Sequence, residues 1–234
     1  MCGRYTRYLP WSEIHRLYRL TLDWEKHRND APAYNVAPTE EVPFITIAED
    51  GNHKLRQGRW WLVPYWAKEV PKFQMFNARS EEADAKPAFR DAFKSKRCLV
   101  PADGFYEWTK SPADGGRDPW YIFLADHRPF SFAGLWAYNS TLDITSCTIL
   151  TAPAENPMSN LHDRQPVILD PSAYDAWLDP ATPVNEAKAL LSQTLDGDLE
   201  FYRVDRQVNS SKFKGGEEMI KPIDMASEYG LFPK

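Results

Sequence analysis

The sequence has few cysteines and no long apolar run. Its three cysteines, Cys2, Cys98 and Cys147, are too few and too widely spaced for a disulfide framework or a zinc site, so we expect a reducing compartment. No stretch of about 18 apolar residues occurs, which predicts that nothing spans a membrane. The first residues lack the apolar core of a signal peptide, and we therefore expect a cytoplasmic protein.

Internal repeats and low-complexity linkers are also missing. Hydrophobic residues make up 43% of the 234 residues and charged residues 26%, an ordinary balance for a globular protein. This composition excludes disorder, collagen and coiled coil as descriptions of the whole chain. The length fits one large domain or two small ones, and we predict a single domain over residues 1–234.

Net charge argues against a nucleic-acid partner, because the formal charge is −5. The distribution is uneven, however. Residues 51–110 hold 12 lysines and arginines against 7 aspartates and glutamates, whereas the rest of the chain holds 16 against 26. A basic segment of this kind can steer an anion to one face of an acidic protein.

Nineteen prolines interrupt the chain, so long helices are not expected through its middle. Short apolar and β-branched runs between the prolines predict strands at 42–48, 97–102, 120–125, 129–138, 144–152 and 166–170. Helical patterns occur at 12–27, at 80–94 with a break or bend at Pro87, at 171–178 and at 183–193. The predicted fold class is α+β, with a mainly antiparallel sheet that curls into a barrel-like core flanked by short helices.

Cys2 is the first candidate for chemistry. If the initiator Met1 is removed, its α-amine and its thiol lie on adjacent carbons, with ordinary pKa values of roughly 7.7–8.0 and about 8.5. A 1,2-aminothiol can condense with an aldehyde, because the amine forms an imine and the thiol then closes a five-membered thiazolidine. Alternatively, position 2 simply holds a small residue after the start.

Three further positions are candidates. Asn77 and Arg79, in NARSE, can present an amide and a guanidinium to one side of a turn, or can be a solvated turn. Glu107, between Tyr106 and Trp108, is either a desolvated general acid/base or an exposed residue of an alternating strand.

His162 is the only histidine between a loop signal and a buried-looking strand, and it is either catalytic or structural. Residues 60–66, WWLVPYW, hold too many aromatics for one buried face, and an exposed tryptophan suits stacking on unpaired bases. Cys98 and Cys147 lie in apolar strands and are expected to be buried and inert.

The motifs, in their order, resemble the SRAP family, named for "SOS response-associated peptidase". They are MCGR (1–4), YNVAP (34–38), WWLVP (60–64), NARSE (77–81), RCLVPADGFYEW (97–108), AGLW (133–136), TILTA (148–152), HDRQPVIL (162–169) and QVN (207–209). Each motif is weak by itself, whereas the ordered set covers nearly the whole chain and is highly specific.

The resemblance implies a protein that binds single-stranded DNA containing abasic sites. The matured Cys2 would form a thiazolidine crosslink with the ring-opened sugar aldehyde and so shield the lesion. Asn77 would orient the N-terminal residue and the sugar, Glu107 would exchange protons and assist reversal of the crosslink, and His162 would protonate the sugar ring oxygen. The family is also credited with removal of its own Met1, and the imine makes weak lyase activity plausible.

The resemblance further implies the groups that hold DNA. Arg4, Arg79 and Arg164 would bind phosphates, Trp66 and Trp108 would stack near the lesion, and Pro38 and Thr151 would line the groove. We expect a monomer with no metal, no cofactor and no membrane partner, associated with the nucleoid if the source is bacterial.

Two positions depart from the family pattern. Trp61 stands where the family commonly has glycine, and Gln165 stands where it commonly has methionine. Neither replaces a reacting group. Trp61 can change how bases stack, so the base preferred beside the lesion can differ from that of the family.

Three other functions fit parts of the sequence. An N-terminal-nucleophile glutamine amidotransferase also begins Met-Cys-Gly, but the chain has no Asn-Gly dipeptide, and none of its three His-Arg dipeptides is followed by glycine. A thiol peptidase acting in trans would pair Cys2 with His162. A non-enzymatic module that binds single-stranded DNA would need only the basic segment.

Overall fold

The computed structural model describes residues 2–20, 31–155 and 157–223. These residues form thirteen strands: β1 (Tyr5–Arg7), β2 (Ala33–Val36), β3 (Glu41–Ile47), β4 (His53–Trp60), β5 (Asn77–Arg79), β6 (Arg97–Ala102), β7 (Gly104–Lys110), β8 (Arg117–Leu124), β9 (Phe130–Asn139), β10 (Ile144–Pro153), β11 (Arg164–Pro166), β12 (Ile168–Leu169) and β13 (Leu199–Arg203). The helices of the described residues are α1 (Trp11–Tyr18), α2 (Arg90–Ser95), α3 (Tyr174–Leu178) and α4 (Val184–Leu190).

Five strands of the larger sheet close into a barrel. The ring runs β3, β4, β10, β9, β6 and back to β3, and every pairing in it is antiparallel except that of β4 with β10. The small strands β5 and β11 extend this sheet from β10, and β12 extends it from β9. The prediction of a mainly antiparallel, barrel-like core flanked by short helices is confirmed.

A second, five-stranded sheet packs against the barrel in the order β13-β8-β7-β1-β2. Aromatic rings join the two sheets. Tyr5 of β1 contacts Trp60 of β4 and Phe132 of β9 edge to face, with ring centroids 5.2 and 5.9 Å apart. Because all three rings are buried, the two sheets share one hydrophobic core.

The strands follow from the apolar runs between prolines. All six residues of β6 are buried, and nine of the ten positions of β9 are. Gly134 allows the close approach of β9 to its neighbours, since a Cβ there would lie 2.9 Å from both Cys98 Sγ and the Thr148 carbonyl oxygen. Cys98 of β6 and Cys147 of β10 are buried, as predicted.

The helix predictions hold less well. The helix predicted at 12–27 is α1, and the part of that prediction after residue 20 lies outside the described residues. The helix predicted at 80–94 is wrong over most of its length, because residues 81–89 form turns and α2 begins at Arg90. Pro87 lacks an N–H and disfavours the helical conformation of the residue before it, which explains the late start.

The C-terminal predictions need smaller corrections. The segment 171–178 begins with a 3-10 turn, Pro171–Ala173, capped by Asp170, before α3. The segment 183–193 forms the shorter α4. The strand predicted at 166–170 is two strands, because the chain leaves β10 after Pro166 and pairs with β9 from Ile168. No helix in the three described ranges is long and apolar enough to cross a bilayer.

Candidate functional site

Cys2 lies three residues before the start of β1 and is fully buried. Its thiol contacts the Arg4 carbonyl oxygen, with Sγ 3.9 Å away. Burial raises the pKa of the Cys2 thiol well above its ordinary value, and the nearby Glu107 carboxylate raises it further. The thiol is therefore protonated at neutral pH, and its reaction requires a partner that accepts the proton.

Antiparallel pairing of β1 with β7 brings the start of the chain alongside Glu107. Tyr5 is opposite Phe105, and the Tyr106 N–H donates to the Arg4 carbonyl at 3.0 Å. Residues before Arg4 consequently run beside the second half of β7. The backbone register thus explains why Cys2 and Glu107, far apart in sequence, interact electrostatically.

A cavity of about 400 Å³ opens at this point. It is bounded by β7 and β8 of the five-stranded sheet, by the segment before β5 and by the loop that contains His162. Its lining residues are Gly3, Arg4, Gln74, Phe76, Glu107, Trp108, Arg117, His162 and Asn209. Four of the residues that the sequence singled out, Arg4, Glu107, Trp108 and His162, therefore share one cavity next to Cys2.

Glu107 is 3% exposed, which agrees with the buried alternative of the sequence analysis. Burial raises the pKa of its carboxyl group above the ordinary value, and the charge of His162 opposes this shift. A carboxyl group of this kind can gain and lose a proton nearer to neutral pH than an exposed glutamate can.

His162 lies in the loop between a 3-10 turn, Met158–Asn160, and β11. Its Nδ1 lies 2.9 Å from the Arg164 amide nitrogen and 2.8 Å from Asp163 Oδ1. One ring nitrogen cannot serve both contacts at once. A bare Nδ1 accepts from the amide, whereas a protonated Nδ1 donates to the carboxylate, so the ring has two hydrogen-bonding states.

Asn77 is on β5, which pairs in parallel with β10. Its Nδ2 donates to the Ile149 carbonyl at 3.4 Å, and its Oδ1 is buried with no hydrogen-bond partner among the described residues. A buried acceptor without a partner is costly, and a donor on a bound molecule would relieve that cost. Asn77 and Arg79 line a second cavity of about 280 Å³, which shares Gln74 and Phe76 with the first.

Arg164 and Thr151 form one unit. The Arg164 Nη2 donates to the Thr151 carbonyl at 2.6 Å and to its hydroxyl at 3.2 Å. The same guanidinium pairs with Glu81, and this hydrogen bond lowers the pKa of Glu81 to about 2. Thr151 is fully buried, so its side chain holds Arg164 in place, while Arg79 is exposed on the neighbouring strand.

The remaining predicted DNA-binding residues differ in their surroundings. The Arg4 Nη1 donates to Asn35 Oδ1 at 2.6 Å and to the Val208 carbonyl at 2.8 Å. Trp66 is 54% exposed and Pro38 is half-buried, and neither lines the cavity beside Cys2.

The two departures from the family pattern have structural partners. The Trp61 Nε1 donates to the Pro71 carbonyl at 3.1 Å, and its ring packs on Phe76 with centroids 5.8 Å apart. Trp61 therefore supports a ring that lines both cavities. Gln165 is buried and accepts a hydrogen bond from the Glu155 amide at 3.3 Å, away from both linings.

The basic segment 51–110 does not form a single patch. It contributes β4, β5, β6 and β7, which belong to both sheets. Arg97 is buried and donates to the carbonyls of Phe93 and Trp177 at 2.8 and 2.6 Å. A charge sum over a chain segment therefore overstates the cations that are available on a surface.

Sequence reasoning missed some residues of the cavity. Gln74, Phe76 and Arg117 were not singled out, and Asn209 entered only as part of QVN. The sequence does contain a feature that indicates the position of Arg117. Arg117 follows Gly115 and Gly116, a loop tip between two apolar runs, so a hairpin places it opposite the end of the preceding strand.

Comparison with known proteins gives consistent matches. The model of the family described as SOS response associated peptidase (SRAP) matches residues 1–211. Abasic site processing protein YoaM of Bacillus subtilis (strain 168) is 38% identical over 223 residues, which cover 93% of this chain and 96% of that protein. Abasic site processing protein HMCES of Pongo abelii is 27% identical and covers 96% of this chain and 77% of its own length.

Solved structures share the fold. A protein from Bacteroides thetaiotaomicron superposes with a TM-score of 0.80 at 21% identity and covers 95% of this chain and 100% of its own. A phage-related protein from Bordetella bronchiseptica has a TM-score of 0.73 at 30% identity, with 91% and 99% coverage.

Proposed function

Because this chain belongs to the SOS response associated peptidase family, we propose that it processes abasic sites in single-stranded DNA through its N-terminal cysteine. Relatives that match over nearly their whole length are named abasic site processing proteins. The observation that carries the proposal is the burial of Cys2 against Glu107, beside a cavity that His162 also lines. The whole chain, residues 1–234, acts as one domain.

The reaction begins once Met1 is removed and the α-amine of Cys2 is free. His162 donates a proton to the ring oxygen of the abasic deoxyribose, the bond from that oxygen to C1 breaks, and the C1 hydroxyl loses its proton to solvent, so that the sugar opens to its aldehyde. The amine nitrogen attacks the aldehyde carbon and water leaves, which gives an imine. The Cys2 sulfur then adds to the imine carbon and its proton passes to the nitrogen, so the net reaction forms a thiazolidine and releases one water.

Glu107 carries the protons between these steps. Its carboxylate accepts a proton from the α-amine before attack, and its acid form returns one when water leaves. A neutral thiol also needs a nearby base as it adds to the imine, since burial disfavours the thiolate. In the reverse reaction, Glu107 transfers the same protons in the opposite direction and so assists opening of the thiazolidine.

DNA is held on both sides of the reacting sugar. Arg79 and Arg164 offer guanidiniums for backbone phosphates, with Thr151 holding Arg164, and Arg4 adds positive charge at the cavity. Trp108 and the exposed Trp66 offer ring faces for bases next to the lesion, and Pro38 lines the approach. Asn77 supplies an unused acceptor for the sugar or for the N-terminal amine.

Two further activities belong to this proposal. The protein removes its own Met1, which gives the family its peptidase name. The imine also permits β-elimination of the phosphate on the 3′ side, so a slow strand-cleaving activity accompanies crosslinking. A peptidase acting in trans fits less well, because cysteine proteases use a thiolate of lowered pKa, whereas burial raises the pKa of Cys2.

Incubation with a single-stranded oligonucleotide that carries one abasic site tests the proposal. We expect a band of the protein linked to DNA that survives boiling in denaturant. Cys2→Ala should abolish the band and should retain affinity for the same DNA, whereas Cys98→Ala, a buried cysteine of β6, should retain the band. Absence of a band with protein matured at Cys2 would refute the proposal.

A further inference from the structure

A cluster of cations surrounds Trp108 at the mouth of the cavity beside Cys2. Arg117 lies with its guanidinium carbon 4.8 Å from the centre of the Trp108 ring, and that of Arg4 lies 5.7 Å from it. Lys110 is directly opposite Arg117 across the β7–β8 pairing. We call Arg4, Lys110 and Arg117 the Trp108 cluster.

The ring at the centre of this cluster is held firmly. The Trp108 Nε1 donates to Asn209 Oδ1 at 2.6 Å, and the Asn209 Nδ2 donates to the Arg117 carbonyl at 3.0 Å. The Arg117 side chain then returns to the face of Trp108. Asn209 thus links the indole to the backbone of the residue that stacks on it.

Lys110 and Arg117 carry positive charge that no ion pair neutralises in the part of the chain that the structure describes. Two like charges directly opposite each other in an antiparallel pair are unfavourable. Within residues 2–20, 31–155 and 157–223, neither Lys110 nor Arg117 forms an ion pair, and both are exposed. Burial lowers the pKa of Arg4, the carboxylate of Glu40 opposes this shift, and the positive charge of Arg117 adds to it.

Nearby carboxylates are already committed to other arginines. Asp114 pairs with Arg206 at 2.6 Å, and Asp118 pairs with Arg203 at 2.9 Å and with Arg206 at 2.6 Å. Asp114 and Asp118 therefore do not pair with Arg117. An anion supplied by a ligand would remove the repulsion that the cluster carries.

Arg4 is a poor candidate for the main contact with that anion. Its Nη1 donates to Asn35 Oδ1 and to the Val208 carbonyl, and its Nε faces the Gly3 carbonyl at 3.3 Å. Arg117 is exposed and lines the cavity with its guanidinium donors available. Arg117 is therefore the cluster's best donor to an anion.

We propose that Arg117, supported by Lys110 and fixed on Trp108, is a phosphate-binding residue that holds one backbone phosphate beside the abasic sugar. Arg79 and Arg164 lie on strands of the barrel sheet, whereas Arg117 lies on the five-stranded sheet. The reacting sugar has one phosphate on each side, and the two sheets supply one phosphate site each. This inference rests on the proposed function for the identity of the ligand.

Binding of a single-stranded oligonucleotide that carries a tetrahydrofuran abasic analogue tests the inference, because this analogue has no aldehyde and cannot crosslink. Fluorescence anisotropy gives affinity at several salt concentrations. Arg117→Gln should weaken binding about fivefold near 0.1 M salt, as for loss of one exposed charge contact. The slope of log affinity against log salt should shrink by about 0.7, the value for one phosphate of single-stranded DNA.

Matched variants separate charge from packing. Arg117→Lys keeps the charge and should retain most of the salt slope, and Arg16→Gln, which removes an exposed arginine of α1, should bind as the parent does. Replacing one flanking phosphate by neutral methylphosphonate should weaken the parent protein but not Arg117→Gln. Equal binding by Arg117→Gln and Arg16→Gln, or equal losses for Arg117→Lys and Arg117→Gln, would overturn the inference.

Failure of the proposed chemistry gives a different result. If the parent protein makes no crosslink with a natural abasic site yet loses salt-dependent affinity on Arg117→Gln, the crosslinking proposal is wrong and the phosphate site stands. If crosslinking occurs and the Arg117 variant binds normally, the phosphate site is wrong.

Discussion

Arg164 and Glu81 form a two-point ion pair at the edge of the candidate site, with Arg164 Nη2 2.9 Å from Glu81 Oε2. Glu81 belongs to the same NARSE segment as Arg79. This short segment therefore supplies one exposed cation, Arg79, and the counter-ion of another cation, Arg164. The guanidinium of Arg164 is therefore partly neutralised before DNA arrives. A phosphate that binds it must share it with Glu81.

Glu81→Gln should consequently tighten binding to single-stranded DNA. The Thr151 carbonyl and hydroxyl still hold Arg164 after the change, so the guanidinium keeps its place and regains its full charge. We expect affinity to rise about three- to tenfold at low salt, with a steeper salt dependence. Anisotropy with the tetrahydrofuran oligonucleotide measures both.

Glu200→Gln on β13 is the matched control, since it removes one exposed negative charge from the five-stranded sheet, whereas β5 belongs to the barrel sheet. Unchanged or weaker binding by Glu81→Gln, relative to this control, would mean that Glu81 orients Arg164 rather than competing for it.

Glu107→Gln should slow crosslinking by about a hundredfold or more, since glutamine cannot transfer protons. Burial raises the pKa of Glu107, so its carboxylate is lost at a higher pH than that of an exposed glutamate. The crosslinking rate of the parent protein at saturating DNA should therefore fall as pH drops through this raised pKa. The rate of the variant should not show this fall. Rates measured from pH 4.5 to 8 on abasic DNA report the difference directly.

Glu200→Gln changes an exposed glutamate of β13 in the same sheet and should keep the parent profile. An identical pH profile for Glu107→Gln and the parent protein would remove Glu107 from the proton-transfer role.

Asp103 should make stability depend on pH. It is almost fully buried, its Oδ2 accepts from the Leu9 N–H at 3.2 Å, and burial raises its pKa to about 6. Because the folded-state pKa lies above the ordinary value, the contribution to stability is complete below about pH 4 and is lost as pH rises to about 6. The shift of roughly two units corresponds to about 3 kcal/mol.

Asp103→Asn keeps an acceptor for the amides and removes this titration. The difference in unfolding free energy between variant and parent, from urea denaturation, should move in favour of the variant between pH 4 and 7 and then level off. A difference that stays constant with pH would show that Asp103 has an ordinary pKa in the folded protein.

Much of the fold could be predicted because apolar and β-branched residues between prolines mark strands by themselves. Strands β3, β6, β9 and β10 lie within a residue or two of the predicted runs. A barrel-like core was predicted, but the pairing that closes it was not, because it depends on β4, whose residues HKLRQGRW are mostly polar and bury only Leu55, Gly58 and Trp60. Its parallel pairing with β10 joins segments far apart in sequence, and local patterns do not encode such a pairing.

The candidate site was predictable where local chemistry is unusual. The aromatic neighbours of Glu107 left a buried and an exposed position open, and the structure shows the buried one. The motif order indicated Cys2 and His162. The role of Thr151 as the holder of Arg164, and the cluster of cations around Trp108, depend on strand register across two sheets. The count of charged residues placed the basic surface in residues 51–110. It therefore missed Arg117, which lies beyond that segment, on the second strand of the β7–β8 hairpin.

Intact mass spectrometry of the protein, before and after mixing with abasic single-stranded DNA, tests the central claim most directly. The account predicts a protein that lacks Met1 and then an adduct whose mass is the sum of protein and DNA less one water, stable without any reducing agent and absent from Cys2→Ala. An adduct that needs borohydride to persist, or one that Cys2→Ala still forms, would contradict attack by the Cys2 amine and thiol together.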